Sequence, residues 1–323
     1  MIVTKTPLRT SFFGGGSDIP QFYREHGGVC VSAAINSYIY IAAHKCVASH
    51  LKVIYSQLEL ENDIEQIKHD RVREVLKHYG QTTNMEIASF SDIPTRGTGL
   101  GSSSTFTVGL INAISHIVGE NHSPRQLAEI ASHIEIEKCK EPIGKQDQYA
   151  AAFGGFRVYE FHKDDTVSVS PLVGLNAKEL QRNLLCFNTG VVRVASSVLT
   201  EQVEKLKNNQ NVDNTKRIVE MAYKSINLLE NNNLDDFGIL MDKAWQIKKK
   251  LSSNVSNDLI DEMYQTAIDA GALGGKILGA GGGGYLMMYV PESRQEKVLN
   301  SMKNYSRFNF EFVKEGSKVE MMA

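Results

Sequence analysis

The stretch from Pro94 to Thr107, Pro-Thr-Arg-Gly-Thr-Gly-Leu-Gly-Ser-Ser-Ser-Thr-Phe-Thr, sets three alternating glycines and a run of hydroxyl side chains between two apolar segments. Met85–Phe90 upstream has the content of a short strand, and Phe106–Ile117 downstream has the recurrence of a buried helix. Glycines at 97, 99 and 101 let backbone turn tightly and approach a ligand, while a helix start offers unpaired N–H groups and a partial positive charge. The pattern predicts a phosphate-binding loop. It is not a Walker loop, because no lysine lies between Pro94 and Thr107, and the alternate glycine spacing departs from the dinucleotide fingerprint. A flexible connector is the competing reading.

A chain of 323 residues is long for one core, which predicts two domains, 1–181 and 182–323. With 42% hydrophobic and 22% charged residues it has the balance of a globular enzyme, and a net charge of −2 gives no reason to expect nucleic acid. Cys30, Cys46, Cys139 and Cys186 are scattered, with no Cys-x-x-Cys pair and no histidine at metal-ligand spacing, as for free thiols in a reducing cytoplasm. No signal peptide opens the chain, and no apolar run approaches the ~20 residues that span a bilayer, so a cytoplasmic protein without membrane contact is expected.

Val29–Ala43 reads as strands, and Ile64, Ile67, Val72, Val75 and Leu76 predict a surface helix between Leu58 and Gly80. The basic cluster Lys68–Arg73 on it reads as a solvated face. Ser123 followed by Pro124 marks a helix start, and Leu127, Ile130, Ala131 and Ile134 trace its stripe. In the second half, Asn183–Asn188 reads as a strand, and Thr189–Ser197 as a polar turn entering a helix, either a second anion site at Arg193 or a capped helix with an exposed arginine. Helices are expected at 213–230, 234–251 and 258–269, with most of Lys248, Lys249 and Lys250 solvated. The four glycines 281–284 predict backbone lying against a ligand or another loop, and alternating Phe308, Phe310 and Phe312 predict a closing strand.

Gly99-Leu-Gly-Ser-Ser103 after Pro94 resembles the ATP loop of the GHMP kinases. Thr6–Asp18 resembles the first motif of that family and Lys276–Tyr285 its third, so the resemblance runs along almost the whole chain. It implies an α+β, two-domain GHMP-kinase-like fold: an N-terminal β/α domain and a C-terminal ferredoxin-like α/β sandwich with the active site between them. ATP would sit on Pro94, Gly97, Gly99, Leu100, Gly101, Ser102, Ser103 and Ser104. Gly144-Lys-Gln-Asp-Gln148 resembles the family's Gly-x-x-Asp-Gln, which makes Asp147 the base for the acceptor hydroxyl, with Arg9 near the transferred phosphate. Glu135, twelve residues before Asp147, would hold Mg²⁺ with Ser103, and Glu137 is the competing choice. Gly15, Gly16, Ser17 and Asp18 would surround the acceptor, Gly281 and Gly282 would border it, and Lys145 would tune the base or the reacting oxygen.

Galactokinases carry a glutamate and a histidine where this chain has Gly15 and Gly16, which argues against galactose. The first motif and Gly144–Tyr149 most resemble the branch that phosphorylates the anomeric hydroxyl of D-glycero-D-manno-heptose 7-phosphate, for nucleotide-activated heptose and surface polysaccharide. The distal phosphate of such an acceptor would fall to Arg193, ahead of the lysines at 248–250. A small sugar phosphate as substrate and a homodimer are the expected associations. The alternatives are an anomeric kinase of a neutral, fucose- or galactose-like sugar, a mevalonate-type kinase, and a ligand-sensing protein without catalysis, against which Asp147 and Arg9 count.

Overall fold

In the computed structural model, which describes residues 1–94, 97–192 and 195–322 (of 195 and 196 the backbone alone), two long strands organise the N-terminal half. They are β1 (Ile2–Phe13) and β2 (Gly28–Lys45), joined through α1 (Pro20–His26). The chain continues through β3 (Leu51–Ile54), β4 (Leu58–Glu61), α2 (Asp70–His78), β5 (Met85–Ser91), α3 (Ser102–Ile117), α4 (Pro124–Ser132) and α5 (Gln146–Phe153). Then come β6 (Phe156–Phe161), β7 (Val167–Pro171), α6 (Ala177–Arg182), β8 (Leu184–Asn188), α7 (Ala195–Lys207), α8 (Val212–Glu230), α9 (Leu234–Lys248) and α10 (Asp258–Asp269). The chain closes with β9 (Gly274–Ile277), β10 (Tyr285–Tyr289), α11 (Gln295–Ser301) and β11 (Lys318–Met322).

The apolar run Val29–Ala43 is one strand, β2, which serves three neighbours: β1 along one edge, β6 beside residues 28–33 and β5 beside residues 39–45 on the other. The large sheet runs β11-β1-β2-β5-β3-β4, with β6 and β7 branching from β2, and only the β3–β5 pairing is parallel. The second sheet, β8-β10-β9, is antiparallel. Helices α3 and α5 pack on β1 and β2, α8 also lies against these strands, and α9 bridges β1 to β9 and β10. This mixture of sheets and helices is the expected α+β architecture.

Two local readings are corrected. The expected helix between 58 and 80 is divided into β4, a 3-10 turn at Ile64–Gln66 and α2, because Glu59 folds back to accept from the backbone N–H groups of Lys68 and His69. The segment carrying the phenylalanines at 308, 310 and 312 makes isolated bridges instead of a strand, from Arg307 to Phe187 of β8 and from Phe312 to Ile35 of β2. Their rings instead form a ladder that reaches Phe12 and Phe156, and the closing strand lies later, at β11 on β1. Gly274 and Gly275 open β9, where a Cβ at Gly274 would stand 2.1 Å from the Gly238 carbonyl oxygen of α9.

Helix α3 is buried from Thr107 to Ser115, and its backbone meets the sheet at Gly109. Thr4 donates to the Gly109 carbonyl at 2.9 Å, and a Cβ on Gly109 would lie 2.8 Å from Thr6 Oγ1 and 3.4 Å from Ile41. Side chains of the sheet therefore rest directly on the helix backbone at this point. Gly109→Leu is expected to lower the unfolding free energy by ~1–3 kcal/mol through overpacking. Urea melts check this, and an unshifted midpoint would show that the helix can lift without cost.

Candidate active site

Two helix starts and one strand meet at the site. Gly101 caps α3 in the left-handed region, φ 75°, a backbone state that a side chain rarely adopts. A Cβ there would lie 3.3 Å from both Arg9 and Asp147, so the strand, the α3 cap and the first turn of α5 converge on one point. The Leu100 carbonyl accepts from the Arg9 backbone N–H at 3.1 Å, which ties the loop to β1.

The Arg9 guanidinium is almost wholly buried, 3% exposed, and its donors are directed. Nε and Nη2 donate to Asp147 Oδ1 and Oδ2 at 2.7 and 2.6 Å, and Nη1 donates to the Gly99 carbonyl at 2.6 Å. A planar fork on a carboxylate fixes both partners, and here it sets the Asp147 carboxylate beside the α3 start. The Asp147 side chain stays 26% exposed, so it keeps an open face.

Asp18 lies on the other side of α5. Its Oδ1 accepts from Gly16 N at 3.0 Å and Oδ2 from Gln146 N at 3.2 Å, and its carbonyl accepts from Lys145 N at 3.3 Å. Gly144 leaves room for it, since a Cβ there would stand 2.0 Å from Asp18 Oδ2. Burial, and then the neighbouring Asp147 charge, push the Asp18 carboxyl up. Ser17 braces the turn by donating to the Val29 carbonyl and accepting from Val29 N. Above the turn, α7 and the turn after α9 close in: a Cβ on Gly16 would lie 3.7 Å from Gln202 and 3.6 Å from Leu251. Gly15 faces Gln146, which in turn accepts from Ser11 at 2.9 Å.

Glu135 occupies a π-helical segment, His133–Lys138, that continues α4 and turns the residue inward to full burial. Oε1 accepts from Arg71 Nε at 2.8 Å and Thr107 at 2.8 Å, while Oε2 accepts from Ser104 at 2.7 Å and from Gln148. Glu135 is thus joined to Ser104, not to Ser103, which is exposed, and Glu137 is exposed too. Arg71, read as part of a solvated face, turns in to pair with Glu135 and Glu141 because α2 packs against α3 and the π segment.

The glycine-rich third segment supports the first loop backbone against backbone. A Cβ on Gly99 would lie 2.2 Å from the Leu278 carbonyl oxygen, one on Gly279 2.6 Å from Gly99 Cα, and one on Gly284 2.6 Å from the Thr98 carbonyl oxygen. Of the two open readings, the loop against another loop is the one present. Gly281 and Gly282 lie on Val255, with Gly282 N donating to its carbonyl at 2.8 Å. Lys145 is placed away from Asp147: its ammonium donates to the carbonyl and carboxylate of Asp165 at 3.1 and 3.3 Å, in the turn after β6. That pairing commits its ammonium to Asp165 in this structure. Pro94 is exposed, Leu100 is buried, and Ser102 opens α3. Arg193 lies outside the described residues.

Among the described residues two lysines are buried: Lys276, for which no role was expected, and Lys248, one of the three that stood behind Arg193 as candidates for the distal phosphate. Lys276 of β9 donates to the Ser11 and Phe12 carbonyls at 2.7 and 3.2 Å and clamps the second sheet to β1. Lys248 ends α9 and is buried beside Arg9, Asp18 and Asp147, whereas Lys250 is exposed. The signal was present: Leu234, Phe237, Met241, Trp245 and Lys248 recur at helical spacing, all buried, so this lysine belongs to the apolar stripe. Cys46, His50 and Glu86 bring ligand atoms within 4.8 Å of one another, against the reading that no histidine accompanies the cysteines. Glu86 there already faces His44, His50 and Lys52.

Residues 67–155 match the GHMP kinases N terminal domain and residues 225–307 the GHMP kinases C terminal domain. A D-glycero-alpha-D-manno-heptose 7-phosphate kinase of Campylobacter jejuni is 31% identical over 98% of both chains. The bifunctional fucokinase/GDP-fucose pyrophosphorylase of Arabidopsis thaliana is 24% identical, over 94% of this chain and 31% of its own length. Among solved structures, a D-glycero-D-manno-heptose 1-phosphate kinase from Bacteroides thetaiotaomicron superposes with a TM-score of 0.79 over the whole of both chains, at 25% identity. The match to both domains, with the likeness to a kinase along the full length, shows that this chain belongs to the GHMP kinases and is an ATP-dependent kinase.

Proposed function

We propose that the protein is a sugar kinase that transfers the γ-phosphoryl group of ATP to the anomeric hydroxyl of D-glycero-D-manno-heptose 7-phosphate. The observation that carries this reading is the 31% identity to the Campylobacter jejuni heptose 7-phosphate kinase over 98% of both chains. The turn at Gly15–Asp18, which lacks bulky side chains and is walled by α7 and the turn after α9, supports a sugar-sized acceptor. In this reading residues 1–181 form the nucleotide-binding domain and 182–323 the second domain, whose last strand returns to β1.

The triphosphate of ATP fits the start of α3, where the left-handed Gly101 leaves backbone N–H groups facing outward and Gly97–Ser104 adds close-approaching backbone and hydroxyls. Asp147 takes the proton of the acceptor hydroxyl on its carboxylate, which the bidentate contact with Arg9 holds in place, and Asp18 accepts from neighbouring hydroxyls. Ser103 and Glu135 would hold Mg²⁺, which prefers oxygen ligands and neutralises phosphate charge. Both Glu135 oxygens already have two donors, so the ion fits only when one of them, such as Ser104, gives way.

A panel of heptose 7-phosphate, unphosphorylated heptose, fucose, galactose and mevalonate with ATP tests the acceptor, and phosphorus NMR of the product shows which oxygen is phosphorylated. Turnover of mevalonate or fucose in preference to the heptose would overturn the proposal. Asp147→Asn is expected to keep ATP binding and lower kcat by ~10²–10⁴, the usual contribution of a general base. Near-parental kcat would remove Asp147 from that role. Glu135→Ala is expected to raise the Mg²⁺ concentration for half-maximal rate more than Glu137→Ala, and the reverse ranking would move the ligand to the exposed residue. For the acceptor's own phosphate we assign Arg193. Arg193→Ala is expected to raise KM for heptose 7-phosphate by about 10- to 150-fold, the loss of one charge-assisted contact. Unchanged discrimination against unphosphorylated heptose would place that phosphate elsewhere.

A further inference from the structure

Lys248 is 8% exposed, and its ammonium donates to the carbonyl of Gly279. Among the described residues no carboxylate is in ion-pair contact with it, although an ammonium has three donors to place. A buried charge left in this state is costly unless something anionic joins it. The charged groups around it are Arg9 of β1, Asp18 of the following turn, Asp147 of α5 and Lys276 of β9, with the Cys30 thiol of β2 beneath. Three cations thus face two carboxylates. Arg9 is committed to Asp147 and Gly99, and Lys276 to the Ser11 and Phe12 carbonyls. Lys248 is the member of this group with donor capacity left over.

Its position decides what the anion is. Gly279, which anchors Lys248, is in backbone contact with Gly99 of the nucleotide loop, and the Gly99 carbonyl accepts from Arg9. Lys248 therefore approaches the reaction centre from the second half of the chain, as Arg9 does from the first. We propose that Lys248 is a further catalytic residue, a cation that binds the phosphoryl group as it passes from ATP to the acceptor oxygen bared by Asp147. This rests on the reading of the site as a phosphoryl-transfer centre, and not on which sugar accepts the group. In transfer the bond from the γ-phosphorus to the bridging oxygen of ADP breaks, the bond to the acceptor oxygen forms, and the hydroxyl proton passes to Asp147. The ammonium keeps its proton throughout and offsets charge on the equatorial oxygens.

Burial, and then Arg9, press the Lys248 ammonium down to about 8, against the opposing pull of Asp18, Cys30 and Asp147. Because burial weakens its hold on the proton, an arriving phosphate anion draws a proton onto it at a pH near that value. Titration calorimetry of the full chain with a non-hydrolysable ATP analogue and Mg²⁺ at pH 8, in two buffers of different ionisation enthalpy, reads this uptake directly. The parent is expected to take up a fraction of a proton, and K248M and K248R none, since methionine cannot titrate and arginine stays charged. With acceptor present, K248M is expected to lose ~10²–10³ in kcat, the cost of removing one preorganised donor, and K248R to recover part of it. The same proton uptake in parent and variants, or a parental kcat in K248M, would overturn the proposal. K248R retains the buried charge, so it remains a test if the methionine variant does not fold. The calorimetry uses no acceptor, so a mistaken acceptor would empty the substrate panel and leave the proton uptake intact.

Discussion

The contact on which the site depends is backbone on backbone, between the loop holding Gly97–Gly101 and the loop holding Leu278–Gly284. A single Cβ at Gly99, Gly279 or Gly284 would enter 2.2–2.6 Å from main-chain atoms of the opposite loop. No side-chain rearrangement relieves a clash of that kind, because main chain is on both sides. The approach brings α9 and β9, from the second half, against β1 and α3, from the first. It thereby puts Lys248 and Lys276 near Arg9.

Once the loops are joined, electrostatics arranges the rest. Charges placed in a space this dry are held by directed partners: Arg9 by Asp147 and Gly99, Asp18 by two backbone N–H groups, and Glu135 by four donors. Asp18 and Lys248 remain perturbed by burial, Asp18 upward and Lys248 downward, within the group of charges around Arg9 and Asp147. Perturbed groups of this kind concentrate at sites that handle charge in transit. Lys276 is perturbed as well, yet its two carbonyl partners mark it as a clamp between sheets.

Much of the architecture was legible where local rules act. Ser123 forms the capping box that its position before Pro124 suggested, and α8, α9 and α10 keep close to their expected bounds. The contacts that local rules do not give concern segments whose partners are remote. Arg71 sits in a charge-rich stretch with every local mark of a solvated face, and only the packing of α2 against the π segment delivers it to Glu135. Lys145 neighbours Asp147 in sequence, but the first turn of α5 sends the two side chains apart, one to Asp165 and one to Arg9.

By itself the sequence determined the helix periodicities and the kinase family, and it set the expectation of phosphate binding on residues 97–104, because these reside in local propensity, contiguous motifs and glycine spacing. The tertiary structure alone decided which charges meet. Arg9 and Asp147 are 138 residues apart in the chain, and the carbonyl that holds Lys248 is 31 residues from it. No periodicity encodes such distances. They follow from how β2 distributes its edges among three strands and how two glycine-rich loops come within contact of each other's backbone.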